Sequence, residues 1–396
     1  MYRSNTNTTG NLSFNDLSAT AELICFSHLR WDFVFQRPQH LLCRFARTMR
    51  VWYIEEPVYS EETQPRYVFH LRDKGVTVIV PHLPKGLSSA DDLCIQQELF
   101  DNFMTDKILS DITFWYYTPM ALPFTRKYDA AVTVFDCMDE LSAFKFAPAA
   151  LKSLEKELLK KADVVFTGGY SLYEAKKSQH PNIYAFPSSI DKEHFKIVRD
   201  LKNNHHKIPA IKKLTLGFYG VIDERFDVEL IRGIAEMQPD WEIVLIGPVV
   251  KIDPAILPSL PNIQYLGGKS YDELPEHMAK WDIALIPFLI NASTRFISPT
   301  KTPEYLSAGL PVISTPIKDV INPYGEAGLV SIGFNAKDFI AKAKFELDRE
   351  RNKWLKDVDS FLAGNSWDIT TRNMQKVMSS ALNGTSSADQ ANKKYV

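Results

Sequence analysis

The chain has 396 residues, enough for two or three domains of about 150 residues each. Hydrophobic residues make up 45% of it and charged residues 24%, the usage of an ordinary globular protein. This composition excludes a disordered chain, a collagen and a disulfide scaffold. The 46 basic and 48 acidic residues leave a formal net charge of −2, so no general basic field favours nucleic acid.

The cysteines and the chain ends set further limits. The four cysteines include no CxxC pair, so neither a zinc site nor a redox motif is indicated. Residues 1–20 and 383–396 are polar and without periodicity, so we expect both ends to be disordered. No stretch reaches about 18 uninterrupted apolar residues, and residues 1–20 lack the apolar segment of a signal peptide. We therefore expect a cytoplasmic protein.

Short apolar runs alternate with amphipathic segments between residues 21 and 195, which is the rhythm of a parallel sheet covered by helices. The first run, 23–27, leads into a helix that begins near Pro38, a residue suited to a first turn. Residues 67–71 and 76–80 predict a hairpin or an added strand pair. The other strand candidates of this half are 51–56, 113–117, 131–135, 163–167 and 182–186.

A second series of strands follows a change in composition. Residues 196–213 are rich in lysine and histidine and contain no long apolar run, so we place a linker there. Residues 214–364 then repeat the alternation of strands and helices. We therefore predict two doubly wound α/β halves, with a ligand site in the cleft between the C-terminal ends of their strands. The strand candidates of the second half are 214–220, 241–247, 262–267, 282–288, 311–315 and 328–333.

The strongest motif is SPTKTPEYLSAGLPVIST, residues 298–315. Free N–H groups at the start of its helix favour an anion, and Lys301 adds a full positive charge. Glu304 lies in the first turn, where a carboxylate can accept hydrogen bonds from ribose hydroxyls. A capped helix with a favourable contact between Glu304 and the helix dipole explains the same residues, so physics alone leaves both explanations open.

The motif resembles the E-x-x-x-x-G-x-P-V signature of GT-B glycosyltransferases of the "glycosyl transferases group 1" type, with Glu304, Gly309 and Pro311 in place. The resemblance implies two Rossmann-like doubly wound domains that face a central cleft, with the donor bound by the C-terminal one. It implies that Glu304 binds the ribose of a nucleotide sugar, and that a C-terminal helix, 366–382, crosses back to the N-terminal domain. Many members carry a second glutamate where this chain has Phe296, so retention or inversion of the anomeric centre stays open.

The resemblance places further donor contacts at other strand ends. Gly220 ends a strand before a helix whose first amides can face a diphosphate, and Arg225 is the nearby cation. An ion pair of Arg225 with Glu224 or Glu229 is the alternative. In the family, a loop near residues 265–271 grips the base through its backbone. The remaining donor candidates are Ser298, Thr300, Asn291 and Thr294.

Polar and aromatic side chains directly follow the first strand, in residues 27–42. This loop resembles the acceptor side of GT-B enzymes, and His28 is our candidate for a catalytic residue there. Arg30, Trp31 and Arg37 are candidates for acceptor contacts, because rings such as Trp31 stack on sugars. Packing of the Trp31 ring within its own domain explains that residue equally well.

Two aspartates follow the strand predicted at 131–135. Asp136 is placed to take the proton of an acceptor hydroxyl as a general base. We interpret Asp139 as a residue at a helix N-terminus instead. Gly169 permits a tight turn beside the cleft and is assigned to the acceptor side.

We therefore predict a metal-independent hexosyltransferase that moves a sugar from a nucleotide diphosphate sugar, with UDP favoured, to a carbohydrate or lipid-linked acceptor. Its setting would be polysaccharide or glycoconjugate synthesis, which is compatible with a peripheral contact at the inner face of the membrane. No cofactor, metal or nucleic acid is expected, because Lys301, Arg225 and helix dipoles would stabilise the leaving diphosphate. Two alternatives stay open. One is a nucleotide-sugar epimerase of the same fold, and the other is a non-catalytic protein that binds a nucleotide sugar or a partner glycosyltransferase.

Overall fold

A computed structural model describes residues 21–205 and 213–383, and the predictions for 1–20 and for the tail after residue 383 lie outside these ranges. The first half contains a nine-stranded sheet in the order β3-β5-β2-β1-β6-β7-β8-β9. β4 pairs antiparallel with β5 as the predicted hairpin, and the other pairs are parallel. The strands are β1 (Glu22–Phe26), β2 (Arg50–Ile54), β3 (Val58–Ser60), β4 (Arg66–Leu71), β5 (Val76–Pro84), β6 (Ile112–Tyr116), β7 (Val132–Cys137), β8 (Val164–Thr167) and β9 (Ile183–Ala185).

The second half contains a six-stranded parallel sheet in the order β12-β11-β10-β13-β14-β15. Its central strands are buried along most of their length, as expected when helices cover both faces of a parallel sheet. The two predicted doubly wound halves are thus confirmed. The strands are β10 (Thr215–Tyr219), β11 (Glu242–Ile246), β12 (Ile263–Tyr265), β13 (Ile283–Ile286), β14 (Val312–Ser314) and β15 (Ser331–Ile332).

The α-helices cover the two sheets and connect their strands. None of the described helices is both long and apolar enough to cross a membrane. In chain order the helices are α1 (Arg37–Phe45), α2 (Ser89–Met104), α3 (Leu122–Thr125), α4 (Leu151–Lys161), α5 (Tyr170–Lys176), α6 (Lys192–His205), α7 (Val228–Met237), α8 (Leu274–Met278), α9 (Lys301–Ser307), α10 (Lys318–Val320), α11 (Ala336–Asp348), α12 (Arg351–Phe361) and α13 (Trp367–Leu382).

The segment predicted as a linker, 196–213, begins inside a helix. α6 runs through it as far as His205, and Phe195 and Val198 are fully buried in the core of the second half. The lysines and histidines that suggested a linker accompany an apolar face with helical spacing. The linker prediction is therefore wrong for 196–205, and residues 206–212 lie outside the described ranges.

The chain crosses between the halves at two neighbouring places. Phe186 packs in the first core and Ile190 in the second, so the first crossing lies between them. Leu362 packs in the second core and Trp367 in the first, which places the second crossing at 363–366. α13 then lies against α1, β7 and β8 of the first half.

Candidate functional site

A cavity of about 500 Å³ lies between the two halves, at the C-terminal ends of their strands. We call it the central cavity. The first half contributes the loop 32–37, Met138, Asp139 and Gly168 to its walls. The second half contributes the residues after β10, β11 and β12 and the start of α9.

The first turn of α9 brings Lys301 and Glu304 to the central cavity. Burial lowers the pKa of the Lys301 ammonium, and the nearby Glu304 opposes that change. Burial likewise raises the pKa of the Glu304 carboxyl. The ammonium lies 5.7 to 5.9 Å from three aromatic ring centroids, and none of the ion pairs found among the described residues involves it. Its charge is therefore available to a ligand.

A glycine at the end of β10 makes room for this lysine. Gly220 has a φ of 141°, and a Cβ at that position would lie 2.7 Å from Lys301 Nζ. Gly247, at the end of β11, has a φ of 146°, and a Cβ there would overlap the carbonyl oxygen of Gly220. Both positions need glycine, because the conformation and the close packing exclude a side chain.

Tyr219 holds the carboxylate of Glu304. Its hydroxyl donates a hydrogen bond to Glu304 Oε2, and its backbone N–H donates to the Tyr305 hydroxyl at 3.0 Å. Within the described residues, Oε1 of Glu304 has no such partner and remains an acceptor for a ligand. Tyr219 is not among the residues predicted from the sequence, although its position at the end of β10 beside Gly220 indicates a place in the site.

Arg225 also lines the central cavity, but its ion-pair partner is Asp223 rather than Glu224 or Glu229. The Nη2–Oδ2 distance is 2.6 Å, and the backbone N–H of Arg225 donates to Oδ1 at 3.0 Å. The guanidinium lies 5.4 Å from the ring centroid of Phe144 in the first half. Arg225 therefore stands where the two halves meet over the cavity.

Comparisons with known proteins agree with this architecture. Residues 214–347 match the family model "Glycosyl transferases group 1". The "Putative teichuronic acid biosynthesis glycosyltransferase TuaH" of Bacillus subtilis is 23% identical over 286 residues, 66% of this chain and 70% of that protein. The chain is also similar to the structure "Trehalose-6-phosphate from E. coli bound with UDP-2-fluoro glucose", with TM-score 0.63, 11% identity and coverage of 91% and 99%. The chain is a glycosyltransferase of the GT-B type.

Anabaena HepE, solved in complex with UDP and glucose, has the same fold as this glycosyltransferase, with TM-score 0.61 at 11% identity and coverage of 90% and 99%. These comparisons support a sugar-transferring enzyme and do not favour the epimerase or the non-catalytic alternative.

Asp136 of the glycosyltransferase does not face the central cavity. It is 0% exposed, and its two carboxylate oxygens accept hydrogen bonds from Nε and Nη2 of Arg37, both at 2.9 Å. Arg37 Nη1 also donates to the carbonyl of Phe186 at 2.7 Å. The prediction of Asp136 as a general base is wrong, because a fully buried and paired carboxylate cannot reach an acceptor. Arg37 lines the central cavity while its guanidinium bonds Asp136 and the Phe186 carbonyl, and its acceptor role stays a prediction.

Asp139 lies in the cavity wall instead. Burial raises the pKa of its carboxyl to about 6, against the opposing charges of Arg225 and Arg37. The next short helical turn, Leu141–Ala143, begins after Asp139 with Glu140 as its N-cap, so the interpretation of Asp139 as a helix N-terminal residue is wrong. A carboxylate with a raised pKa in a cleft is a candidate for proton transfer.

The loop after β1 packs on its own half of the glycosyltransferase. Glu55 fixes the position of the loop, because it accepts hydrogen bonds from Arg30 Nη1 at 2.8 Å and from the Trp31 N–H at 2.7 Å. The Trp31 ring is 8% exposed and packs edge-to-face on Tyr53 at 5.0 Å. Neither Arg30 nor Trp31 lines the central cavity, although the adjacent Asp32 and Phe33 do, so acceptor contacts for Arg30 and Trp31 stay predictions.

His28 lies outside the walls of the central cavity as well. Burial, together with the positive charge of Lys251, lowers its pKa to about 4. The imidazole is therefore neutral near pH 7, and its Nδ1 makes no hydrogen bond within the described residues. This position does not support the predicted catalytic role.

Among the other predicted donor contacts, Ser298 and Thr300 line the central cavity and Asn291 and Thr294 do not. Thr294 is 1% exposed, and its Oγ1 accepts a hydrogen bond from the Asn291 N–H at 2.9 Å. These two residues build a turn in which Asn291 is exposed and Thr294 is buried, and their role as ligands stays a prediction. Gly169 follows Gly168 of the cavity wall and lies at a contact between the halves, and its assignment to the acceptor side stays a prediction.

Proposed function

We propose that this glycosyltransferase takes a hexose from a nucleotide diphosphate sugar, with UDP as the nucleotide, and transfers it to an acceptor hydroxyl. The observation that carries the proposal is the pair Lys301 and Glu304 on one helical turn in the central cavity. Two proteins of similar structure were solved with UDP-2-fluoro glucose and with UDP and glucose, which supports the choice of UDP.

Each donor residue then has a role that its surroundings support. Lys301 places an unpaired positive charge beside the diphosphate, and Arg225 adds a second charge that Asp223 partly compensates. Glu304, oriented by Tyr219, accepts hydrogen bonds from the ribose hydroxyls through its free oxygen. Charges that are fixed in place before the reaction stabilise the negative charge that develops on the leaving diphosphate. We propose that these cations make a divalent metal and any other cofactor unnecessary.

Asp139 is our proposed general base. With a pKa of about 6 it is ionised at pH 7, and it lines the cavity where an acceptor would enter. It would take the acceptor proton while the acceptor oxygen bonds to the anomeric carbon and the sugar–phosphate bond breaks, its electron pair leaving with the diphosphate.

The acceptor in this proposal is a carbohydrate or a lipid-linked carbohydrate. The curated relative is named for teichuronic acid synthesis, which supports a place for this enzyme in polysaccharide or glycoconjugate assembly. We also propose that the enzyme makes a peripheral contact with the inner face of the membrane, where a lipid-linked acceptor would lie.

Calorimetric titration with UDP and with GDP tests the donor site. We expect saturable UDP binding that is equal in magnesium and in EDTA, and about tenfold or more weaker in Lys301→Ala and Glu304→Ala. Lys344→Ala, which removes an exposed lysine of α11, is the matched control and should bind as the wild type does. Absence of UDP binding, or equal binding in all four proteins, would overturn the donor site. If UDP bound only in the presence of magnesium, the proposal that no divalent metal is needed would be overturned, and the donor site would stand.

A further inference from the structure

A second cavity, of about 400 Å³, lies where the chain crosses between the two halves. We call it the crossover cavity. It is bounded by the start of α5, by the first crossing at Pro187 and Ser188, and by Asn365 of the second crossing. The segment that follows β14 and one side of α13 close it. A ligand in this cavity would therefore touch both halves and both crossings.

The crossover cavity and the central cavity are neighbouring sections of one cleft, since Ser188 and Ser298 line both. A contact between the halves separates them. The Asp319 carboxylate accepts a hydrogen bond from the Ser171 N–H at 3.0 Å, and a Cβ at Gly169 would overlap Asp319 Oδ2. The two cavities therefore adjoin at Ser188 and Ser298, beside this contact.

The lining of the crossover cavity is mainly apolar, with aromatic rings, side-chain amides and three charged residues. The Tyr324 and Phe361 rings lie 5.4 Å apart, and the side-chain amides of Asn322 and Asn373 form no hydrogen bond with any described residue. Of the three charged residues, Lys318 and Glu174 are exposed, and Glu174 pairs with Lys177 at 2.6 Å. Asp319 accepts hydrogen bonds from Ser171 through Oδ1.

Rings that cover apolar faces, together with amides that both donate and accept, suit a neutral molecule with many hydroxyls. The described part of the lining holds no cluster of cations, so a phosphate or another anion is a poor fit. The chemistry of the walls therefore points to an uncharged sugar.

We propose that the crossover cavity binds uncharged sugar residues of the acceptor glycan, away from the hydroxyl that reacts. The assignment rests on the proposed function, because it takes the acceptor to be a carbohydrate. The same lining would also bind a free monosaccharide. The experiment therefore has to distinguish a monosaccharide from the sugar residues of a glycan chain.

Saturation-transfer NMR on the full chain, with UDP present to fill the central cavity, provides the test. The probes are maltotriose, cellotriose and chitotriose, each compared with its monosaccharide. We expect at least one trisaccharide to receive saturation and to bind about fivefold or more tightly than its monosaccharide, because a chain makes more contacts. No saturation of any probe would overturn the site. Equal affinity of the trisaccharide and the monosaccharide would overturn its assignment to an acceptor chain.

Two variants locate the binding. Asn373→Leu and Asn322→Ala remove amides without hydrogen bonds, so the fold should persist, and the melting temperature checks this. We expect each to weaken trisaccharide binding about fivefold. Arg372→Ala changes the exposed neighbour of Asn373 on α13 and should bind as the wild type does. Equal binding by both cavity variants would overturn the proposal.

The UDP protons in the same samples report on the donor site. Loss of UDP saturation in Lys301→Ala with trisaccharide binding retained supports both proposals, because the two sites then respond separately. Absence of UDP binding in the wild type would overturn the donor proposal, and the trisaccharide signals would still decide the crossover cavity.

Discussion

Lys301 is half-buried and Glu304 is buried in the wall of the central cavity, and Tyr219 orients the Glu304 carboxylate. The hydroxyl of Tyr219 bonds Glu304, while its ring packs edge-to-face on Tyr305 at 5.1 Å. Tyr219→Phe therefore removes the hydrogen bond and keeps the ring. We expect UDP affinity to fall about fivefold with little change in melting temperature, measured by calorimetry. Tyr59→Phe, which loses a hydrogen bond to Asp92 Oδ2 in the first half, is the control, and an equal loss of affinity there would contradict the role of Tyr219.

The raised pKa of Asp139 predicts a pH profile. Because a general base must be ionised, the transfer rate should fall as the pH drops through about 6, the pKa of Asp139. Asp139→Asn should lower the rate about a hundredfold or more and leave UDP binding unchanged. Burial disfavours the charged form of this residue, so the variant should also be more stable than the wild type at pH 7. Unchanged transfer by this variant in an initial-rate assay would remove Asp139 from the mechanism.

At the level of elements, the sequence predicts where the strands lie far better than it predicts which side chains line the central cavity. The apolar runs mark the strands because both faces of each sheet are buried. The predicted strand 131–135 extends as β7 to Cys137, and this small extension puts Asp136 into the sheet opposite Phe166. Arg37, distant in sequence, meets it there, and no local pattern reveals such a partner. Asp139 lies beyond the strand and is the residue that reaches the cavity.

The Arg37–Asp136 ion pair joins α1 to β7 and, through the Phe186 carbonyl, to the first crossing. Arg37→Met would leave Asp136 buried without a partner, so we expect a loss of about 3–5 kcal/mol in the free energy of unfolding at pH 7. Protonation of Asp136 at lower pH should recover part of that loss, because the neutral acid costs less to bury. Urea unfolding at pH 7 and pH 5 measures both effects. Equal losses at the two pH values would mean that packing, rather than charge, dominates.

At the scale of the whole molecule, the central cavity exists only while the two halves stay together. Contacts across the cleft join Arg225 to Phe144 and bring Gly169 against Ser298 and Asp319. The residues predicted to contact the donor all belong to the second half. A nucleotide can therefore bind to that half before the two halves close on each other. Transfer needs both halves, because Asp139 comes from the first and Lys301 from the second.

Gly169→Ala tests whether transfer depends on the contact between the halves while UDP binding does not. The backbone of Gly169 is extended, with a φ of −168°, so alanine is allowed there, but its Cβ would overlap Asp319 Oδ2 and lie 2.7 Å from Ser298 Cβ. The added methyl group should move the two halves apart. We expect the transfer rate to fall about tenfold, because the reacting groups are then misplaced, while UDP affinity changes little. Adding Asp319→Ala removes the overlapping carboxylate and should restore part of the rate. Small-angle scattering would report the expected widening, and a normal rate in Gly169→Ala would show that transfer does not depend on this contact.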